Sequence, residues 1–219
     1  MPLNRPPRAV LFDCDGVLVD SEPITNALLA EDLTAHGLPV GPGDCLSLFV
    51  GGTIRGVANE ARKRGACLPD DWVSGFYERM FARLAAGCPV VPGAEAAVAA
   101  LAAAGIGLAV GSNGPSRKME ITLGQYPALR APFGSHVWSA PELGRPKPDP
   151  LVWLHAAQAL EVDPADCLVI EDSATGARAA RAAGMHCLGY APDGAADRLR
   201  AEGADIFDNM ADLARHLGV

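Results

Sequence analysis

Short apolar runs that alternate with helix-forming stretches constrain the fold of this chain more than any other feature. The runs that read as buried strands are AVLFD (9–13), GLAVGS (107–112), CLVIED (167–172), HCLGY (186–190) and, more weakly, HVWSA (136–140). Helix formers occupy 94–105, 149–160 and 174–184. Strands joined through helices imply right-handed crossovers and a parallel sheet. We therefore expect a doubly wound, Rossmann-like α/β core.

Residues 20–88 interrupt this alternation. Amphipathic helical patterns span 24–37, 51–65 and 70–86, and no convincing strand lies among them. Turn-forming residues flank the block on both sides. This pattern predicts a core built from 1–19 and 89–219, with an inserted all-helical domain at 20–88.

Composition narrows the class of protein. The 219 residues are 49% hydrophobic and 20% charged, which is typical of a soluble globular chain. A net charge of −8 argues against nucleic acid or an anionic membrane as a partner. The six cysteines form no CxxC pair, and no apolar segment suggests a signal peptide or a membrane span. We expect a cytoplasmic protein.

Acidic side chains follow two of the predicted strands. Asp13 and Asp15 come at the end of the first, and Glu171 and Asp172 at the end of another. The carboxyl ends of parallel strands share one edge of a sheet, so these acids are expected to converge. Carboxylates packed that closely raise each other's pKa unless a cation compensates them. Hard oxygen ligands suit Mg²⁺, which also accepts phosphate oxygens.

Other polar residues complete the predicted site. Ser112 and Asn113 end a neighbouring strand, where a hydroxyl and backbone N–H groups can hold substrate oxygens. Lys147 lies in a Pro-rich loop and can neutralise a phosphoryl oxygen or a nucleophile. Only Lys63, Lys118 and Lys147 are lysines among the 18 Lys and Arg residues. A lysine at 147 is therefore consistent with a need for a compact ammonium group.

Together these residues resemble the haloacid dehalogenase superfamily. The family's four motifs match, in order, DCDGVLVDSE (13–22), Ser112, Lys147 and Glu171-Asp172. The likeness covers nearly the whole chain, including the helical insertion, which corresponds to the family's C1 cap. It implies that Asp13 attacks phosphorus to give an aspartyl-phosphate. Asp15 would protonate the leaving alkoxide and then deprotonate water. Lys147 and Ser112 would stabilise charge on the transferring group.

The resemblance also implies a metal site. Mg²⁺ would be held by Asp13, the main-chain carbonyl of Asp15, and Asp172. Glu171 would bind the ion directly or through water. A small phosphorylated metabolite is the expected partner, and the chain is expected to be a monomer or a small homo-oligomer.

Particular residues narrow the chemistry within the family. Dehalogenases lack the second acid of the first motif, so Asp15 argues against them. Phosphonate-cleaving relatives use a cap lysine, but Lys63, the only cap lysine, has an arginine on each side, as in a surface run. β-Phosphoglucomutases carry a histidine ten residues beyond the acid/base, where this chain has Thr25. An ungapped match also puts Ile54 at their cap arginine, with Arg55 one residue on.

The stretch SNGPSRKM (112–119), with FDCDG, FVGG (49–52) and RPKPDPLVWLHAA, resembles the sugar-phosphate phosphatases that include 6-phosphogluconate phosphatase. We therefore expect a Mg²⁺-dependent phosphatase acting on a small phosphorylated sugar or sugar acid. Asn113, Arg55, Arg117 and Lys118 are candidates for substrate contacts. A β-phosphoglucomutase and a non-catalytic phosphoryl-binding module on the same fold stay open as alternatives.

Overall fold

A computed structural model of the protein describes residues 6–48, 53–192, 194 and 196–219. The FVGG stretch (49–52), which entered the resemblance above, lies outside these residues. The chain divides into two compact units. One comprises Met1–Asp20 with Pro89–Val219, and the other comprises Ser21–Cys88.

The first unit is built on a six-stranded sheet. Its strands are β1 (Ala9–Phe12), β2 (Gly107–Ser112), β3 (Val137–Ser139), β4 (Cys167–Glu171), β5 (His186–Tyr190) and β6 (Asp205–Phe207). All neighbouring strands run parallel, in the order β3-β2-β1-β4-β5-β6. This doubly wound order confirms the predicted fold class. The chain runs from β1 to β2 and β3 on one side and then crosses to β4 on the other side of β1. The adjacent ends of β1 and β4 therefore form a topological switch point, where ligands generally bind in sheets of this kind.

In the described residues of the second unit, all regular elements are helices, joined by turns and loops. Its helices are α1 (Glu22–Ala35), α2 (Pro42–Leu48), α3 (Ile54–Lys63) and α4 (Trp72–Ala85). Trp72, Phe76 and Leu84 of α4 are buried, with the rings of Trp72 and Phe76 stacked 5.1 Å apart. The helix α2 was not predicted, because PGDCLSL is short and begins with two residues that favour turns.

Helices pack around the sheet of the first unit. They are α5 (Ala94–Ala103), α6 (Ser116–Gly124), α7 (Pro127–Arg130), α8 (Leu151–Ala159), α9 (Ala174–Ala182), α10 (Ala196–Ala201) and α11 (Leu213–His216). All four residues of β1 are buried, as expected for a central strand covered on both faces. In the described residues no helix has both the length and the apolarity needed to span a membrane.

Close packing of α8 on β2 leaves no space for a side chain at Gly111. A Cβ atom at Gly111 would lie 2.8 Å from Cζ3 of Trp153 and 2.9 Å from Cγ2 of Val152. The absence of a side chain at 111 therefore lets the Trp153 ring lie against the strand, close to the carboxyl edge of the sheet.

Candidate active site

Three carboxylates meet at the carboxyl edge of β1 and β4. Asp13 follows β1, and its backbone N–H donates to the carbonyl of Ile170 at 2.9 Å. Glu171 is the last residue of β4, and Asp172 follows it. One carboxylate oxygen from each of Asp13, Glu171 and Asp172 lies within 4.8 Å of the others. The structure thus brings these acids together as the strand ends predicted.

Lys147 joins two of these acids. Its Nζ donates to Oδ1 of Asp13 at 2.5 Å and to Oε1 of Glu171 at 2.6 Å. The Lys147 side chain is 2% exposed and that of Glu171 is fully buried. Burial works against the ammonium charge, but Asp13 and Glu171 hold the pKa of Lys147 above its ordinary value. The lysine is therefore a fixed positive charge beside the proposed nucleophile.

Two neighbours fix Lys147 in place. The side-chain amide of Asn113 accepts from the Lys147 backbone N–H at 2.8 Å and donates to its carbonyl at 3.2 Å. The Lys147 Nζ lies 4.4 Å from the centroid of the Trp153 ring, a cation–π contact. Asn113 was predicted to contact substrate, and the contact that the structure gives its side chain is to this loop.

The second oxygen of Glu171 is held by the start of α9. Ser173 donates to Oε2 of Glu171 from its backbone N–H at 3.1 Å and from its hydroxyl at 2.8 Å. The same hydroxyl accepts from the N–H of Gly176 and so caps the helix. A Cβ at Gly176 would lie 1.6 Å from Oε1 of Glu171. The glycine thus leaves the space that the buried carboxylate fills.

Asp172 packs against the glycine of the first motif. Gly16 has a φ of 78°, in the left-handed region, and a Cβ there would lie 2.1 Å from Oδ2 of Asp172. Any side chain at 16 would both strain the turn and displace this carboxylate. The DCDG turn and the end of β4 are therefore matched in shape.

Asp15 lies beside a different lysine. The Lys118 Nζ is 2.7 Å from Oδ1 of Asp15, and the Ser112 hydroxyl donates to Oδ2 of Asp15 at 3.5 Å. Ser112 itself accepts from the backbone N–H of Gly114 at 2.9 Å. Burial works against the charge of Lys118, but the Asp15 carboxylate raises the pKa of Lys118 above its ordinary value. Lys118 was predicted to bind substrate; the contact shown is to Asp15.

The charge balance of the site favours a further cation. Burial raises the pKa of Asp13 to about 7; Lys147 opposes the rise, and the carboxylates of Glu171 and Asp15 add to it. One lysine thus leaves the ionised form of Asp13 disfavoured. A divalent cation among the three clustered carboxylates would supply the missing positive charge.

The two remaining predicted residues are exposed arginines. Arg117 is exposed in the first turn of α6. Arg55 is exposed in the first turn of α3, in the helical unit. Their proposed contacts with substrate stay predictions.

Sequence reasoning assigned no role to Trp153, Ser173 or Gly176. For Ser173 and Gly176 a clue exists in EDSATG, because a Ser three residues before a Gly at a helix start fits an N-cap. Trp153 lies six residues after Lys147, in the first turn of α8, and nothing local in the sequence reveals that its ring faces the ammonium.

The clustered carboxylates thus lie at the carboxyl edge of a doubly wound sheet. The family model for haloacid dehalogenase-like hydrolases matches residues 7–184, and the chain belongs to this family. It is 31% identical over 187 residues to 6-phosphogluconate phosphatase from Escherichia coli, covering 84% of this chain and 83% of that protein.

Solved structures agree with this assignment. A haloacid dehalogenase family hydrolase from Deinococcus radiodurans, with bound phosphate and sodium, has a TM-score of 0.79 at 34% identity. The match covers 96% of this chain and 94% of that protein. A protein described as a β-phosphoglucomutase from Thermotoga maritima has a TM-score of 0.76 at 25% identity. The match covers 96% of this chain and 98% of that protein. The predicted membership of a hydrolase family is confirmed.

Proposed function

We propose that this protein is a Mg²⁺-dependent phosphatase that hydrolyses a small phosphorylated sugar or sugar acid through an aspartyl-phosphate at Asp13. The observation that carries the proposal is the Lys147 ammonium bridging Asp13 and Glu171 at the sheet edge, with Asp15 two residues from Asp13. The Asp15 carboxylate is close enough to Asp13 to raise the pKa of Asp13, so a nucleophile and a proton donor can serve one phosphoryl group.

The reaction divides into two displacements. In the first, a carboxylate oxygen of Asp13 bonds to phosphorus while the bond from phosphorus to the substrate oxygen breaks, and that oxygen takes a proton from Asp15. In the second, water attacks phosphorus, its proton goes to Asp15, and Asp13 leaves as a carboxylate. Lys147 and the Ser112 hydroxyl stabilise negative charge on the phosphoryl oxygens in both steps.

The acidic cluster fits Mg²⁺. Asp13 and Asp172 supply hard oxygen donors, with the backbone carbonyl of Asp15 as a third. Both oxygens of Glu171 already accept hydrogen bonds, from Lys147 and Ser173, which favours contact with the ion through water. When bound, the ion neutralises charge on the phosphoryl oxygens and on the nucleophile.

The substrate class is supported by the 6-phosphogluconate phosphatase relative. Exposed arginines at 55 and 117 are candidates for a carboxylate or hydroxyls on the sugar. The mutase alternative is weakened at Thr25, because its hydroxyl donates to the carbonyl of Ser21 at 3.0 Å within its own helix start. A hydroxyl with this local bond does not replace the titratable histidine of the mutases.

The test is phosphate release from 6-phosphogluconate, glucose 6-phosphate and β-glucose 1-phosphate, with Mg²⁺ and with a chelator. We expect Mg²⁺-dependent release by the wild type. We expect a loss on the order of 10⁴-fold or more in Asp13→Asn, because the amide is not a nucleophile. Full release by Asp13→Asn would contradict the assignment of the nucleophile. Conversion of β-glucose 1-phosphate to the 6-phosphate without release would support the mutase instead.

A further inference from the structure

Lys118 is a largely buried cation, of intermediate exposure, that the proposed reaction does not use. It lies in the first turn of α6, yet its side chain is 12% exposed, whereas the side chain of Lys63 on α3 is 76% exposed. Its Nζ lies 2.7 Å from Oδ1 of Asp15, whose side chain is 20% exposed. A lysine this buried gives up much of its hydration, so the contact with Asp15 is what compensates its charge.

The loop before α6 lies against this contact. A Cβ at Gly114 would lie 3.4 Å from both Cδ of Lys118 and Oδ2 of Asp15, and 3.3 Å from the Ser112 hydroxyl. Gly114 therefore lies beside the lysine, the carboxylate and the hydroxyl, at distances close to ordinary van der Waals contact. The backbone N–H of Lys118 donates to the carbonyl of Pro115 at 2.9 Å, which sets the start of the helix that carries it.

Each of the two proposed catalytic acids thus has its own lysine, from a different part of the core. Lys147 holds Asp13 from the loop before α8, and Lys118 holds Asp15 from α6. On Asp15 the lysine contacts Oδ1, and Ser112 contacts Oδ2 at a longer 3.5 Å. Of these two contacts to Asp15, the one from Lys118 is the shorter.

We propose that Lys118 is a positioning residue for proton transfer: it holds Asp15 where this carboxyl gives a proton to the leaving oxygen and later takes one from water. Lys118 itself neither gains nor loses a proton in either step. The inference rests on the proposed phosphatase function and replaces a direct contact between Lys118 and the substrate with a contact to the acid/base.

Three substrates separate this role from the alternatives. Glucose 6-phosphate and 6-phosphogluconate both release an alkoxide that needs a proton, but only the second carries a carboxylate. p-Nitrophenyl phosphate releases a stable phenolate that departs without one. Because kcat/KM reports the steps up to departure of the leaving group, the protonation requirement appears as a difference between the alkyl and aryl substrates.

In Lys118→Met we expect kcat/KM to fall roughly 10²-fold for both sugar phosphates and less than about threefold for p-nitrophenyl phosphate. The loss for the sugar phosphates should lie in kcat rather than in KM. Lys118→Arg should recover part of it, since a guanidinium can also hold Asp15. Lys63→Met removes the same charge from an exposed site and should leave all three substrates unchanged.

Other outcomes overturn the inference. A loss confined to 6-phosphogluconate and expressed in KM would mean that Lys118 grips the substrate carboxylate. An equal loss for all three substrates, with a lower melting temperature, would mean a structural role, and no loss would mean no role. Wild-type protein that hydrolyses none of them would contradict the proposed function itself, so the two failures are distinguishable in the same assays.

Discussion

Two ion-pair sites of this protein, one in each unit, differ in burial. At the sheet edge, Lys147 pairs with Asp13 and Glu171, all three nearly or fully buried. In the helical unit, Arg83 and Glu31 pair at 2.8 Å with side chains 47% and 58% exposed. Exposed pairs are screened by water and contribute little to stability. Buried ions lose hydration, which their attraction repays only with good geometry and further hydrogen bonds.

The comparison shows that the cost of removing charges from water falls on the sheet edge and not on the helical unit. The buried network is completed by Ser173, which satisfies the second oxygen of Glu171, and by Asn113, which ties down the backbone of Lys147. An apolar core would need neither. The network therefore indicates a site held in place for a reaction, whereas the surface pairs of the helical unit could be exchanged with small effect.

The largest expected effect follows from removing the buried cation. Lys147→Met leaves Asp13 and Glu171 without their ammonium partner, so we expect a loss of about 3 kcal/mol in the free energy of unfolding. Urea denaturation measures it, with Lys63→Met as the matched control at an exposed lysine. A Lys147→Met protein as stable as the control would show that the pair contributes nothing to folding.

The next largest expected effect is a loss of stability when the close packing between α9 and Glu171 is disturbed. A methyl group at 176 would overlap the Glu171 carboxylate, so we expect Gly176→Ala to lose about 2 kcal/mol despite the better helix propensity of Ala. Gly124→Ala is the control: a Cβ there meets nothing within 4 Å, and a gain of a few tenths of a kcal/mol up to about 1 is expected. Thermal unfolding of the two variants compares them, and equal shifts would contradict the assigned overlap.

A smaller effect is expected at Trp153, where two substitutions separate the contribution of the aromatic ring from that of side-chain volume. Trp153→Phe keeps an aromatic face beneath Lys147, and Trp153→Leu removes it. The indole Nε1 has no hydrogen-bond partner among the described residues, so losing it carries no penalty of its own. We expect kcat to be roughly fivefold lower in Trp153→Leu than in Trp153→Phe, the equivalent of about 1 kcal/mol of cation–π contact. Equal kcat values for the two variants would show that the ring only fills space.

The smallest effect belongs to the helical unit. Glu31→Gln breaks the exposed pair with Arg83, and we expect the free energy of unfolding to change by less than about 1 kcal/mol, with kcat unaffected. Urea denaturation at low and high salt measures both the change and its screening. A loss as large as that of Lys147→Met would remove the contrast between the two units.

Much of this architecture follows from sequence, because strand ends in a parallel sheet share one edge. The runs ending at Asp13, Ser112 and Glu171 predicted both the doubly wound sheet and the acids that meet there. The strand β6 was not predicted, since DIF is three residues long and carries no alternation that separates it from a loop.

What the sequence could not assign is the partner of Lys118. It was predicted to contact substrate, and its contact with Asp15 depends on how α6 packs on the sheet. The contact from Lys118 to Asp15 is made across about a hundred residues of chain, beside Gly114. Such a contact depends on tertiary packing, which no local pattern encodes.

The central claim is that the phosphoryl group passes through Asp13, and trapping the phosphoenzyme tests it most directly. Asp15→Asn should form the aspartyl-phosphate from p-nitrophenyl phosphate in the presence of Mg²⁺, because the phenolate needs no proton, and should hydrolyse it slowly for want of a base. Acid quenching, borohydride reduction and peptide mapping would then find homoserine at position 13. A reduced residue at any other position, or none while phenolate is still released, would contradict the account.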